Sequence, residues 1–68
     1  MITRGDFEVV CVAAGFSEQK LVNVEYKGGR QDSFWIAEIG TATETGFQVQ
    51  DGLGTFVCFN NITKTWAA

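Results

Sequence analysis

Histidine and proline are absent from this chain, cysteine occurs twice, and basic residues occur only at Arg4, Lys20, Lys27, Arg30 and Lys64. Each shortage excludes something. Without histidine, the commonest general acid–base and the commonest metal ligand are both missing. No closely spaced pair of other ligands makes up for it, so neither a catalytic centre, a metal site nor a cofactor is expected. The basic residues stand singly in a chain of net charge −3. Nucleic-acid affinity comes largely from neutralising phosphates and leaves a clustered basic footprint. The linear sequence has no such cluster, so nucleic acid ranks behind protein as a partner. No apolar run approaches the ~20 residues of a membrane helix. The nearest, Val9–Phe16, follows Asp6 and Glu8, where a signal peptide would be basic. The expected location is the cytoplasm, with no membrane contact.

Two cysteines are too few for the disulfide framework of a small secreted scaffold. Cys11 and Cys58 both sit in apolar patterns, so both are expected as small buried hydrophobes. A bridge between them would require their strands to be neighbours.

Aromatic residues, by contrast, are plentiful: six Phe, two Trp and one Tyr in 68 residues. A chain this short makes one small domain that buries only about 60% of its unfolded surface. Its core cannot hide every ring, so an aromatic surface patch is expected.

The clearest local pattern is Leu21–Ile39. Val22, Val24 and Tyr26 alternate with Asn23, Glu25 and Lys27, the period-2 signature of a half-buried strand. Gly28-Gly29 follows, a pair that tolerates the positive φ angles of a tight hairpin. A second strand, Asp32–Ile39, is apolar on both faces at its middle, with Phe34 and Ile36 opposite Trp35, Ala37 and Ile39. Glu38 shares a face with Phe34 and Ile36, and a carboxylate at solvent is the expectation for it. Gly40 ends the strand, and Thr41–Thr45 reads as a loop or a frayed strand end, since three threonines disfavour a helix.

Upstream, Phe7–Ala13 reads as a first strand, because three valines and a cysteine with no helix cap disfavour a helix. Ala14-Gly15 bends the chain into a polar connection over Phe16–Lys20. Downstream, Phe47–Gln50 and Thr55–Phe59 read as strands joined by the turn Asp51-Gly52-Leu53-Gly54. Asn60-Asn61-Ile62 suits a turn or a single 3₁₀ turn, Thr63–Trp66 a last strand, and Ala67-Ala68 a frayed end. Five or six short strands with no convincing helix predict an all-β domain. Closure removes exposed edges, so a small five- to six-stranded SH3-like or Sm-like barrel is the expected architecture.

From Leu21 to Trp66 the order of features resembles the WYL family of small SH3/Sm-type barrels. VNVEYKGG matches its apolar-x-apolar-x-Tyr strand and Gly/Lys turn, GFQVQDG its apolar hairpin strand, and TFVCFNNITKTW its closing strand with a packed isoleucine. The resemblance implies a barrel fold and a ligand-sensing module that binds nucleotides or nucleic acid. The Trp-Tyr-Leu triplet is absent and the family's ligand arginines have no counterpart, so no binding residue is carried over.

Phe7, Tyr26, Phe47 and Phe56 have the phase of core residues. Trp35 lies opposite Phe34, Trp66 lies near the C-terminus, and Phe16 lies in the polar connection. These three are the candidates for partner binding, weighed against the reading in which the tryptophans plug the barrel ends. The glycine pairs lack the strand–loop–helix context of a phosphate loop, and Asn61-Ile62-Thr63 matches a glycosylation sequon without a signal peptide. The expected function is a non-catalytic protein-interaction module that self-associates, of a size common among phage and mobile-element accessory proteins. The alternative is a nucleotide- or nucleic-acid-binding regulatory module of WYL-like type.

Overall fold

The computed structural model describes residues 1–18 and 20–67. The chain opens with a helix, α1 (Arg4–Gly15), so the strand expected over Phe7–Ala13 is corrected. The cause lies just upstream. Thr3-Arg4-Gly5-Asp6 is a capping box: the Asp6 N–H donates to the Thr3 hydroxyl at 3.1 Å, and the Thr3 N–H donates to the Asp6 carboxylate at 3.0 Å. Satisfying two donors at the helix start offsets the modest helix cost of the valines. Ala14-Gly15 is the last helical turn, not a bend. The Phe16 N–H closes the helix by donating to the Ala13 carbonyl at 3.2 Å.

The hairpin follows as its pattern requires. β1 (Leu21–Tyr26) buries Val22 and Val24. Gly28 and Gly29 take φ of 94° and 93°, and β2 (Gln31–Trp35) pairs back from Leu21↔Trp35 to Glu25↔Gln31. The second strand stops at Trp35 and does not continue to Ile39. A 3₁₀ turn (Ile36–Glu38) intervenes, and β3 (Ile39–Ala42) begins after it. This resolves the strand's double-faced pattern. The turn resets the phase, so Phe34, Ile36 and Ile39 all pack on the core, while Trp35 and Glu38 face solvent. Gly40 is therefore inside a strand. A Cβ there would come within 3.2 Å of the Gln48 carbonyl oxygen.

β4 (Gly46–Val49) and β5 (Phe56–Cys58) form the second hairpin. A second 3₁₀ turn (Phe59–Asn61), of the kind the asparagines suggest, leads into β6 (Ile62–Ala67), which includes Ala67. Gln19, within the expected polar connection, and Ala68 lie outside the described residues.

The strands form two antiparallel sheets, β2-β1-β6 and β3-β4-β5. Among the described residues no ladder closes them into a barrel, so the expected all-β barrel becomes a mostly β fold with one helix. The two 3₁₀ turns are the corners that carry the chain between sheets. The helix supplies the apolar cover that closure would otherwise give. Its Phe7 stacks on Phe47 of β4, with ring centroids 4.2 Å apart, and touches Phe59 at 5.4 Å. Val22, Val24, Val49, Val57 and Ile62 complete the core around these rings.

Candidate functional site

Val22 and Val24 point to the core, so Leu21, Asn23 and Glu25 point outward from the first sheet. Residues directly opposite in an antiparallel ladder share a face. Leu21 pairs with Trp35, and Asn23 pairs with both Ser33 and Trp66. The outer face of β2-β1-β6 therefore carries both tryptophans, one on each outer strand, with Leu21 and Asn23 between them. Trp35 is 54% exposed and Trp66 is half-buried.

The polar residues on this face are tied to one another. The Ser33 hydroxyl donates to Asn23 Oδ1 at 2.6 Å, Asn23 Nδ2 donates to the Trp66 carbonyl at 3.4 Å, and Gln31 Nε2 donates to Glu25 Oε1 at 3.0 Å. The Lys64 ammonium lies 5.0 Å from the Trp66 ring centroid, a cation–π contact that holds the indole's orientation. The face is thus two aromatic platforms in a frame of internally paired polar groups.

Phe16 is placed elsewhere, at the C-terminal end of α1, and is 89% exposed. The three candidates are therefore not one patch. Two share a sheet face, and the third belongs to the helix.

A separate cleft of about 510 Å³ opens between the end of the first hairpin and β5. The Lys27 N–H donates to the Asn61 carbonyl at 2.9 Å, joining the hairpin end to the second 3₁₀ turn. Arg30 lies over the Tyr26 ring at 4.6 Å. Burial, and then the hydrogen bond to Asp32, push the Tyr26 hydroxyl up to about 12. Phe56 flanks the cleft at 47% exposure, which corrects its assignment to the core. Val57 takes the inward position on β5, and the Phe56 ring instead covers Gly46, within 2.8 Å of where a Cβ would stand. An aromatic ring laid over a strand glycine restores packing that the glycine lacks.

The cysteines also depart from expectation. Both are free. Cys58 alternates outward with Phe56 and is exposed, so it is not a buried hydrophobe. Cys11 is half-buried in the helix, and its thiol is pushed up to about 11 by burial and by the nearby Glu8 carboxylate.

Two features escaped sequence reasoning: the cleft, whose walls come from segments about thirty residues apart in the chain, and the outward side of α1, hidden by reading it as a strand. The capping box at Thr3–Asp6 was the signal that could have exposed the second. Among the described residues, no helix is long and apolar enough to cross a membrane. Set against protein-family models, curated proteins and solved structures, the chain matches none.

Proposed function

We propose that this chain is a non-catalytic protein-interaction module whose binding face is the outer surface of β2-β1-β6. The observation that carries this reading is the placement of Trp35 and Trp66 on one face with Leu21 between them. Exposed large aromatics on one surface, framed by polar groups, are the composition from which interface hot spots are drawn. Ser33 and Asn23, and Gln31 and Glu25, already pair with one another, so a partner can cover the indoles without breaking these bonds, while the two indole N–H groups, among the described residues, remain free to donate to it. The one-turn 3₁₀ segment before the last strand supports reading the fold as an opened SH3-like or Sm-like barrel. The test is capture from native-host lysate with immobilised wild-type protein and Trp35→Ala. Partner recovery should fall at least ~10-fold in the variant, the loss expected on truncating a hot-spot residue, with an unaltered melting temperature. Equal recovery by both would refute the assignment of this face.

A second reading, binding of a nucleotide or of single-stranded nucleic acid, is favoured by the cleft. Arg30 and Lys27 stand beside the Tyr26 and Phe56 rings, a combination that offers charge to phosphate and a stacking surface to a base. Fluorescence anisotropy with a labelled oligonucleotide at low salt tests it. Binding that weakens with salt and is lost in Arg30→Ala would replace the protein-partner reading.

A further inference from the structure

The outward side of α1 carries an apolar stripe along its whole length, flanked in the first half by the exposed carboxylates Asp6 and Glu8. At ~100° per residue, Gly5, Val9, Val12 and Phe16 fall within about 60° of one another on the helix surface, opposite Phe7 and Ala14. Val9 is 70% and Val12 60% exposed, and Ala13 beside them is also exposed. The charged residues of the helix, Arg4, Asp6 and Glu8, all lie in its first half, off this stripe. A helix that carries an apolar stripe on each of two opposite sides gains by burying both. Here the core covers one.

We infer that a second copy of this chain covers the other, the two α1 helices packing antiparallel about a twofold axis. The inference deepens the reading of the chain as a protein-interaction module by naming a partner; it does not use the tryptophan face. Three observations select a second copy. The first is spacing. Gly5, Val9, Val12 and Phe16 are separated by four, three and four residues, so the stripe reads the same in both directions. A twofold contact requires that residue i meets j and j meets i. An axis between Val9 and Val12 sets Val9 against Val12 and Phe16 against Gly5, twice over. The second is shape, because the largest side chain of the stripe then faces the one position with no side chain, and a Gly5 Cβ would have no neighbour nearer than 3.8 Å.

The third is charge and area. Antiparallel packing lays the charged half of each helix along the uncharged half of the other, whereas a parallel pair would set Asp6 and Glu8 beside their own copies. The stripe offers roughly 400 Å² per copy, taking ~150–250 Å² for a large aromatic and somewhat less for each valine. That is about a tenth of the 4256 Å² surface, the share a pairwise interface usually takes, and its total falls in the range of weak association. A dimer held by this stripe alone is a weak one.

Sedimentation velocity over ~1–300 µM, a range that brackets such an affinity, tests this, with circular dichroism melts as the check on folding. Wild type should pass from monomer to dimer. Val12→Glu should remain monomeric throughout with an unchanged melt. Gly5→Phe and Phe16→Gly should each weaken the dimer at least ~10-fold, and the double variant Gly5→Phe/Phe16→Gly should recover most of it, because the ring and the gap are merely exchanged. A wild type monomeric at every concentration, or a double variant no better than the worse single one, would overturn the proposal. A dimer retained in Val12→Glu but lost in Trp35→Ala would overturn it too, and would move the second copy to the tryptophan face, leaving the broader interaction reading intact.

Discussion

Phe7 of the helix and Phe47 of the second sheet lie face to face, 4.2 Å apart and 14° from parallel. Both are fully buried, and Phe34 meets the same Phe47 ring edge-on at 5.6 Å. The helix is thus a structural part of the core. Phe7→Ala should cost about 3–5 kcal/mol, the transfer and cavity penalty of a buried aromatic. For a domain this small, that approaches the whole folding free energy. Urea unfolding will measure it, and a loss below about 1 kcal/mol would mean that the sheets hold their core without the helix.

Gly46 stands opposite Cys58, and a Cβ added to it would overlap the Val57 carbonyl oxygen and press on the Phe56 ring. The ring can rotate away, but the backbone oxygen cannot. Gly46→Ala should therefore destabilise by about 2 kcal/mol or more, as overpacking against fixed backbone does. Adding Phe56→Ala should recover only a minor part. Full recovery in the double variant would show that the ring, and not the strand backbone, sets the limit.

The two thiols should differ in reactivity. Cys58 is exposed, whereas Cys11 is half-buried with its thiol pushed up to about 11. Since the thiolate is the reactive form, a maleimide or disulfide reagent at pH 8 should modify Cys58 rapidly and Cys11 slowly, and Cys11 should catch up in denaturant. Peptide mapping after brief exposure reads the ratio. Equal rates in the native protein would contradict the placement of Cys11.

Tyr26 is the one tyrosine, so its ionisation can be followed by ultraviolet absorbance. Its folded value is raised to about 12, chiefly by burial and then by the hydrogen bond to Asp32, against ~10 in an unfolded chain. A raised value means that the folded state keeps its proton longer. The associated stability is complete below pH ~10 and is lost as pH rises through about 12. Tyr26→Phe should flatten the fall in stability across that window. Asp32→Asn should lower the absorbance midpoint, and a midpoint left unmoved would remove Asp32 from the account.

The sequence made the hairpins legible because they are local: alternation over Val22–Tyr26 and glycines with positive φ at 28, 29, 52 and 54 specify them without help from the rest of the chain. That Trp35 lies opposite Phe34 was legible for the same reason, but which of the two faces the core was not. The helix was not, because Val9, Val10, Cys11 and Val12 are apolar on every side and carry no period. Their state was decided by a cap six to nine residues away and by the fit of Phe7 against Phe47. The break at Ile36–Glu38 was hidden in a similar way. A run apolar on both faces fits a fully covered strand as well as one that turns and changes phase, and only the position of the core distinguishes them. That Trp35 and Trp66 share a face depends on β6 pairing with β1, a long-range choice with no local signature.

The two corners at Ile36–Glu38 and Phe59–Asn61 impose an order on how the chain acquires its fold. β3, β4 and β5 are sequence neighbours and can zip together as a meander. The first sheet is complete only when Val22 finds Ala67, a closure spanning most of the chain. Its entropy cost must be met before any contact repays it. The docking of β6 is therefore the expected slow step, and the second tryptophan would reach its face only in that last event. Any species that stalls beforehand exposes one indole without the other, along with the bare edge of β1.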